Sequence, residues 1–501
     1  MRCERGLAAV LAALLALGAA GVAAADEEIP AIEPDPFGEW RFVGFHVQGF
    51  PLDASGREGG LRWAVDQRLE VGSRQQISER LHFSGKLQVF GGQVAGDSDG
   101  LGAAFRSDER LQLRGWDFKG WDLVELWLRW DLPWLQVRIG QMGSHFGLGL
   151  LSNDGRDEDE RFGFGTSRDL SDRLLLATRP FAPLGGFLAD VAVAVGGGLV
   201  YRDENASLRQ GDVGGEALAV IRWERGPDNL GLYAAGRFQQ DDAGTMLRVF
   251  ALDLAGSYQP EPDEAGPTFA GEAVLLTGVT DRVIRAERTG GSDLLAFGGV
   301  LQAGYRFALL GLHPRLEAGY ASGDQTPYDE KVTRFSFDPS FRVGLVLFDW
   351  VMRELTALEA EQAADPDRVG QPLPGTGELP SQGRLAGAVY LFPTVSLEPV
   401  ERLQLLAGFL SAWSSAPFGQ AYPTFENGGV PTNSYGRSSP GRHLGLELDL
   451  GARYTQPIWR DLAVAADLQA GWFFPGAAFE RPDGSRPPPV ARILMRFALS
   501  W

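Results

Sequence analysis

The sequence predicts an all-β fold, a transmembrane antiparallel β-barrel of about eighteen strands, with one long loop whose residue spacing suggests a helix. Three observations lead to this prediction. Short segments in which apolar and polar residues alternate recur almost from end to end of the 501 residues. The segments are long enough to cross a bilayer, which takes about 9 to 11 residues per strand. No proline-rich or low-complexity linker divides the chain, which favours one large closed sheet.

Residues 1–25 have the three parts of a secretory signal peptide. Arg2 and Arg5 precede an apolar run over 7–22, and a short run of alanines precedes Asp26, where we expect cleavage. The alternative, a membrane-anchoring helix, needs about 18 to 20 strongly apolar residues, whereas this run is rich in alanine and contains glycines. The signal is followed by an N-terminal periplasmic segment, 26–40, and by the transmembrane barrel, 41–501.

The charge and cysteine content exclude several classes of function. The chain carries 46 basic and 65 acidic residues, so nucleic acid, which demands a basic surface, is not an expected partner. Removing Arg2, Arg5 and Glu4 with the signal changes the formal net charge from −19 to −20. The single cysteine, Cys3, lies inside the signal, so the mature chain has neither a disulfide nor a thiolate metal site.

The last three predicted strands, 443–455, 461–474 and 491–501, show the alternation most clearly. In the first of them, one face is apolar and the other is charged. The apolar face holds Leu444, Leu446, Leu448, Leu450, Ala452 and Tyr454, and the other face holds Gly445, Glu447, Asp449, Gly451 and Arg453. A helix, with a period of about 3.6, would scatter these residues and bring charges into contact with lipid. The soluble alternative, a β-sandwich, has shorter strands and smaller domains.

Further alternating segments bring the count to eighteen. They lie at 41–50, 61–71, 78–90, 121–131, 134–141, 171–180, 187–200, 214–224, 229–239, 246–258, 267–279, 295–307, 312–321, 384–396 and 401–413. This count treats 109–118 as the outer extension of the strand through Trp121. Short predicted connections alternate with long ones, as in bacterial outer-membrane barrels, which places both termini on the periplasmic side. The short connections are 132–133, 225–228, 397–400 and 456–459, and the long ones are 142–170, 201–213, 280–294, 322–383, 414–442 and 475–488.

Aromatic residues mark the expected membrane interfaces, which accommodate both a ring and its polar edge. Trp130 and Trp134 bracket one predicted turn, and Trp459 lies in another. Trp127 and Trp223 fit either an interface or the interior of the barrel. The last strand resembles the signal that the outer-membrane barrel-assembly machinery recognises, through Phe497, Leu499 and Trp501.

Charged residues that alternate with lipid-facing ones are expected to line the pore, because a charge facing lipid costs about 2 to 4 kcal/mol near the bilayer midplane. The predicted pore-lining residues are Glu125, Arg129, Arg138, Glu447, Asp449, Arg453, Asp467, Arg492 and Arg496, together with Gln136. They carry both signs of charge. They either bind hydroxyl-rich solutes through hydrogen bonds or pair across strands and fill the barrel.

The connection 322–383 is the least barrel-like part of the chain. Within it, Val343, Leu347, Val351 and Leu355 recur at i, i+4 spacing and predict a helix inside 341–364. The helix either folds inward, to line or plug the pore, or forms an external cap on the rim. The following residues, up to Ser381, are rich in Pro, Gly and Asp and predict a mobile loop.

Two motifs in the connection 142–170 raise the question of chemistry. The acidic run 153–160 offers carboxylates of the kind that bind Ca²⁺ or Mg²⁺, but it lacks the spacing of a calcium loop, which favours a solvated acidic loop. Ser144 and His145 are adjacent, and adjacent residues on a strand point to opposite faces, so we expect no catalytic pair. The five histidines show no metal-ligand spacing. The sequence therefore predicts no enzyme, no metal and no cofactor.

Short stretches of the chain resemble the alginate-export family. Glu447-Leu448-Asp449-Leu450 and Phe473-Phe474-Pro475-Gly476 are similar to the C-terminal hairpin of that family, and Arg138-Ile139-Gly140-Gln141 is similar to another of its strands. The resemblance implies a monomeric eighteen-stranded barrel whose basic pore conducts an anionic polymer. The acidic charge of this chain departs from that pattern, which argues against alginate itself as the substrate.

The chain also resembles an uncharacterised family of large outer-membrane barrels. This second resemblance implies no activity. It rests on Ser144-His145-Phe146-Gly147-Leu148-Gly149, on Asn153, Gly155 and Asp172-Arg173, and on Phe337-Asp338-Pro339.

These observations predict a protein of the bacterial outer membrane, reached by signal-peptide-dependent secretion. The expected function is a passive channel for polysaccharide export or for other hydrophilic solutes, with loops 142–170 and 322–383 controlling access. The alternative is a non-conducting surface or adhesion barrel whose external loops bind a partner. The expected partners are outer-membrane lipid and lipopolysaccharide, the barrel-assembly machinery and, for polymer export, a periplasmic export system.

Overall fold

The computed structural model shows one antiparallel sheet that closes on itself as an eighteen-stranded barrel. It describes residues 35–60, 62–97, 120–165, 168–241, 244–261, 264–281, 291–326, 329, 331–364 and 385–501. The strands follow one another in chain order, and the first pairs with the last from Glu39 opposite Ser500 to Val47 opposite Arg492. The predicted barrel is therefore confirmed. The predicted signal peptide, 1–25, the predicted strand extension, 109–118, and the mobile loop predicted up to Ser381 lie outside the described residues. The predicted periplasmic segment, 26–40, is too long, because the first strand already begins at Asp35.

The barrel strands are numbered β1 to β18 in chain order. They are β1 Asp35–Val47, β2 Trp63–Ser78, β3 Leu81–Gly96, β4 Asp122–Asp131, β5 Gln136–Gly143, β6 Leu170–Thr178, β7 Val191–Arg202, β8 Val213–Arg225, β9 Asp228–Gln240, β10 Met246–Tyr258, β11 Gly266–Thr280, β12 Ser292–Arg306, β13 His313–Ala321, β14 Ala388–Val400, β15 Leu403–Ser414, β16 His443–Trp459, β17 Leu462–Pro475 and β18 Val490–Ser500. Each predicted segment overlaps one of these strands. A two-residue strand, Lys331–Val332, pairs in parallel with the start of β12.

The two ends of the barrel differ in the length of their connections. One end, called the turn end, holds the links at 79–80, 132–135, 179–190, 226–227, 259–265, 307–312, 401–402 and 460–461. The other end, called the loop end, holds those at 48–62, 97–121, 144–169, 203–212, 241–245, 281–291, 322–387, 415–442 and 476–489. β1 begins and β18 ends at the turn end.

Two predicted turns are wrong, because 397–400 and 456–459 belong to β14 and β16. Each of these segments contains a proline, Pro399 or Pro457, and the strand pairing is irregular there, as in a β-bulge. The chain reverses instead at Arg402 and Arg460, whose φ angles of 73° and 47° lie in the left-handed region. Arginine carries no sequence signal for that conformation, which favours glycine, asparagine and aspartate.

The barrel wall is apolar outside and carries charged side chains inside, as the alternation predicts. On β16, Leu448 and Leu450 are 41% and 45% exposed, whereas Glu447 and Asp449 are fully buried. Exposed tryptophans lie near turns of the turn end, at Trp130, Trp134 and Trp459. Their position fits the interface role that the sequence suggests for them.

The helix predicted inside 341–364 is confirmed in its second part. A π-helical turn, Leu347–Val351, leads into the α-helix Met352–Ala364, and we call the two together the loop helix. The preceding residues are not helical, and Gly344 has a φ of 70°. Among the described residues, no helix is long and apolar enough to cross a membrane. The shorter helical pieces are Ala182–Leu184, Gly186–Ala189, Leu208–Gln210, Leu309–Gly311, Ala421–Glu426 and Ala477–Phe479.

The largest apolar cluster lies inside the barrel. It joins inward residues of the wall, such as Phe45 and Phe473, to Leu345 and Trp350 of loop 322–387 and to Phe162 of loop 144–169. The described parts of both loops that carry these residues therefore lie in the lumen. Of the two positions that the sequence leaves open for the loop helix, the structure shows the inward one.

Candidate channel lumen

A single carboxylate on the barrel wall holds the start of the loop helix. Glu447, on the lumen face of β16, accepts hydrogen bonds from the backbone N–H groups of Leu345, Val346 and Leu347, at 2.5, 2.8 and 2.7 Å. A buried N–H group without an acceptor is costly. These three bonds therefore fix loop 322–387 against the wall.

Arg492, on β18, holds the same segment. Its guanidinium donates to the Leu345 carbonyl at 2.7 Å and pairs with Asp349, which also accepts from Arg342 at 2.5 Å. Burial alone would raise the pKa of Asp349, but Arg342 and Arg492 hold that pKa well below its ordinary value. Asp349 therefore stays ionised and keeps both ion pairs.

The loop also lies close to the wall at Gly471, on β17. A Cβ atom at this position would lie 2.6 Å from Asp449 Oδ1 and 2.7 Å from Val346 Cγ2. Asp449 is fully buried beside Glu447, on the same face of β16. Any side chain at Gly471 would therefore push the loop away from the wall.

Loop 144–169, called the acidic loop, is held in the same manner by Glu272 of β11. This carboxylate accepts hydrogen bonds from the backbone N–H groups of Leu148 and Leu150, the latter at 2.9 Å. Glu272 and Glu447 thus play equivalent parts on different sides of the barrel. Each is an inward carboxylate of the wall that binds backbone N–H groups of a loop.

The acidic run of this loop meets basic residues of the wall. Asp157 pairs with Arg496 and, at 3.3 Å, with Arg41, and Glu160 pairs with His313 at 2.8 Å. Burial alone would raise the pKa of Asp157, but Arg41 and Arg496 lower it below its ordinary value. The expectation of a solvated acidic loop is wrong for Asp157 and Glu160, because basic residues of the wall attract these carboxylates into the lumen, whereas the side chain of Asp159 is exposed.

Asp467, on β17, lies between two arginines. Arg496 donates to it at 2.8 Å, and Arg453 donates both to Asp467 and, at 2.9 Å, to the carbonyl of Asp159 in the acidic loop. Most of the predicted pore-lining residues therefore face the lumen on β16 to β18, where they contact the two loops or one another. They are Glu447, Asp449, Arg453, Asp467, Arg492 and Arg496.

The other predicted pore-lining residues lie on β4 and β5 around Trp127, which faces the lumen. The Trp127 Nε1 donates to Glu125 at 2.5 Å, and the Arg138 guanidinium lies 4.7 Å from the ring centroid. Arg129 donates to Asp131 at 3.1 Å. The alternation thus brings two arginines, two acids and an indole to one surface.

Solvent reaches this surface. The side chains of Arg129, Asp131 and His82 are 29%, 32% and 23% exposed, and Gln136 donates to Asp131 at 2.8 Å. Within the described part of the chain, the hydrogen bonds and ion pairs of this group join neighbours on β3, β4 and β5 and do not involve either lumen loop. We call it the open wall, and it consists of His82, Glu125, Trp127, Arg129, Asp131, Gln136 and Arg138.

Sequence reasoning missed several lumen residues that hold the acidic loop. Glu317, on β13, accepts from Tyr390 at 2.7 Å and pairs with Arg161 at 3.3 Å, and Glu70, on β2, pairs with Arg168 at 2.5 Å. Both glutamates lie in predicted strands, so the alternation could have identified them as inward. Their loop partners carry no such signal, because a loop has no fixed period.

The side chains of Ser144 and His145 take separate partners. Ser144 Oγ accepts from Ser152 at 2.6 Å and from Arg173 at 3.2 Å. His145 Nδ1 lies 3.6 Å from a carboxylate oxygen of Asp154. Ser144 therefore contacts another residue of the acidic loop and an arginine of the wall, and His145 lies next to an aspartate of the acidic loop. These contacts do not pair the serine with the histidine.

Three carboxylates outside the acidic run converge near the loop end. Ligand oxygens of Asp169, Glu204 and Asp338 lie within 4.8 Å of one another. Burial raises the pKa of Asp169 well above its ordinary value, and the charges of Asp338 and Glu204 raise it further. The arrangement therefore favours a bound proton over three adjacent negative charges.

The barrel is similar to solved structures, whereas no protein-family model and no curated protein matches the sequence. OccAB1 of Acinetobacter baumannii has 8% identity and a TM-score of 0.50, covering 94% of this chain and 98% of that one. The outer membrane protein OpdK of Pseudomonas aeruginosa has 12% identity and a TM-score of 0.48, covering 93% and 99%. OccK11 of Pseudomonas aeruginosa has 13% identity and a TM-score of 0.45, covering 93% and 96%. At such identities the likeness to OccAB1 concerns the fold alone, and the resemblance to the alginate-export family stays a prediction.

Proposed function

We propose that the protein is an outer-membrane channel in which hydrophilic solutes pass along the open wall, beside the two loops in the lumen. The observation that carries this proposal is a closed barrel with an apolar outside and a charged inside. Such a wall is stable with hydrocarbon around it and water within it. Barrels of about 16 to 18 strands are wide enough to keep an aqueous channel.

In this proposal the turn end faces the periplasm and the loop end faces the outside. Short periplasmic turns and long external loops are the rule for outer-membrane barrels. The last strand, with Phe497, Leu499 and Trp501, then lies where the assembly machinery would bind it. Trp501 and Gly38 also exchange two backbone hydrogen bonds, at 2.9 and 3.1 Å. Gly38 belongs to β1, so these bonds extend the pairing of β1 with β18 by one residue.

The open wall suits hydroxyl-rich solutes, such as a polysaccharide. It presents guanidinium, carboxylate and amide groups around the indole of Trp127, so one surface offers hydrogen-bond donors, acceptors and an aromatic face. A polyanion such as alginate would meet Glu125 and Asp131 along this path. We therefore propose a neutral or mixed-charge polymer or solute, and the role in polymer export rests on the family resemblance.

Ion conductance of the purified barrel in planar bilayers tests the proposal. We expect stepwise currents, and we expect the channel to become more cation-selective when Arg129 and Arg138 are both changed to glutamine, because positive charge leaves the open wall. Arg225→Gln is a matched control, since Arg225 pairs with Asp190 in a turn at the turn end, at 2.9 Å. A folded barrel that never conducts, even after 341–364 is deleted, would contradict the proposal. If Arg225→Gln changes the ion selectivity as much as the double change of Arg129 and Arg138 does, the proposed path along the open wall is contradicted.

A non-conducting surface barrel is the second candidate. The observation that favours it is the pair of loops inside the lumen, each bound to the wall by a buried glutamate. This candidate predicts closed barrels in the bilayer experiment and a binding partner for the connections at the loop end. The same recordings therefore separate the two functions.

A further inference from the structure

One connection at the turn end is apolar and exposed. The link 179–190, called the apolar turn, carries the short helices Ala182–Leu184 and Gly186–Ala189. Between Arg179 and Asp190 the chain holds no charged residue. The exposed fractions of its large side chains are 41% for Phe181, 69% for Leu184, 57% for Phe187 and 47% for Leu188. Such a group is unusual for a connection that faces water alone.

The apolar turn lies against the outside of the barrel. Asp190 pairs with Arg225 at 2.9 Å, and its carbonyl accepts from the backbone N–H of Glu224 at 3.3 Å. Phe187 stacks on Trp223 of β8, with ring centroids 5.0 Å apart and planes at 24°. These contacts tie the turn to the end of β8.

Trp223 faces away from the lumen. It lies on the same face of β8 as Ile221, which is exposed on the outside of the wall, and opposite to the buried Leu218. Of the two positions that the sequence leaves open for this tryptophan, the structure therefore shows the outer one. The stack with Phe187 makes the apolar turn continuous with the outer apolar surface of the barrel.

We infer that the apolar turn is a membrane foot, seated in the inner leaflet at the boundary between headgroups and acyl chains. The partner is the lipid bilayer, because the exposed side chains continue the surface that hydrocarbon covers. Arg179 and Arg225 flank the turn and can reach the headgroups while the apolar residues stay in lipid. This inference rests on the membrane placement proposed above.

A second link at the turn end has a related character. In 307–312, Leu309 and Leu310 are exposed, and Phe307 packs on the exposed Tyr305 with centroids 4.7 Å apart. The polar link 79–80 is different, since it consists of Glu79 and Arg80. Apolar links thus occur at separate places around the turn end, and polar links provide an internal control.

Single-cysteine fluorescence in lipid vesicles tests the inference. The single cysteine of the chain, Cys3, lies in the predicted signal peptide and is removed from the variants by a Cys3→Ser change. Leu184→Cys, Glu79→Cys and Leu254→Cys then each carry one environment-sensitive nitrobenzoxadiazole label. Leu254 is exposed on β10 and marks the hydrocarbon-facing wall. We expect shallow spin-labelled lipids to quench the probe at Leu184 several-fold more than the probe at Glu79, and iodide in water to quench it less. Heat-dependent gel mobility confirms that each variant is folded.

The outcomes separate this inference from the proposed function. Lipid quenching at Leu254 together with water-like behaviour at Leu184 would overturn the membrane foot alone. The absence of lipid quenching at both positions would overturn the membrane placement itself. Shielding of Leu184 that requires a periplasmic extract would assign the turn to a protein partner and would also overturn the inference.

Discussion

The change Glu447→Gln removes part of the acceptor that holds the loop helix. The carboxylate accepts three backbone N–H bonds, whereas a glutamine of the same shape keeps one carbonyl oxygen for Leu345 and Val346 and turns its NH₂ group toward Leu347. A buried N–H that loses its acceptor costs about 1 to 3 kcal/mol, and the two remaining bonds lose the help of the charge. We therefore expect the seated loop to be weakened by about 3 kcal/mol.

Single-channel recording measures this weakening. About 1.4 kcal/mol corresponds to a tenfold change in an equilibrium, so the ratio of displaced to seated loop should rise on the order of 100-fold. A displaced loop opens more of the lumen. The variant should therefore show a larger conductance level, with its occupancy raised by about that factor.

Leu448→Val is the matched control for this experiment. Leu448 is the next residue on β16 and is exposed on the outside of the wall, so its change leaves the loop bonds intact. Leu448→Val should occupy the larger conductance level as rarely as the unchanged protein does. If Glu447→Gln behaves like Leu448→Val, the reasoning that this carboxylate seats the loop is refuted.

Three further predictions concern pH, packing and assembly. Burial raises the pKa of Glu354 in the loop helix to about 7 from an ordinary value of 4.5. Below pH 4.5 the neutral carboxyl stabilises the seated loop by about 3 kcal/mol, relative to the ionised carboxylate. This stabilisation is lost as the pH rises through about 7. The larger conductance level should thus grow from about pH 5 to about pH 8, and a Glu354→Gln variant that keeps this pH dependence would contradict the assignment. Gly319→Ala should destabilise the barrel by about 1 to 3 kcal/mol in urea titrations followed by gel mobility, because its Cβ would lie 2.1 Å from the Tyr390 ring, whereas Gly236→Ala, with nothing within 4 Å, should be neutral. Trp501→Ala should lower the yield of folded barrel in outer membranes several-fold while Trp501→Phe keeps it, and equal yields would argue against the assembly signal.

The strands were predictable from sequence because their constraint is local. Each residue of the wall faces either hydrocarbon or the lumen. The polarity of Leu448 and Glu447 is therefore enough to predict which face of the strand each side chain occupies. The turns were less predictable, because the residues at a reversal need not be ones that favour it. The connections expected at 397–400 and 456–459 belong to β14 and β16, and the chain reverses at arginines in a conformation that arginine rarely adopts.

The contents of the lumen were only partly predictable. The spacing of Val343, Leu347, Val351 and Leu355 indicates a helix, but nothing in it distinguishes an inward helix from an external cap. The bond that decides the matter joins Leu345 to Glu447, and these residues are 102 positions apart in the chain. Such pairs have no sequence pattern, because a loop has no fixed period and its partner is distant in the chain.

The pairing of β1 with β18 determines when the barrel can close during synthesis of the chain. The two strands form a seam between segments from opposite ends of the described polypeptide. Until β18 has been synthesised, β1 has no partner on one side, and its free N–H and C=O groups offer a template for aggregation. The seam can therefore close only after translation has passed the final strand.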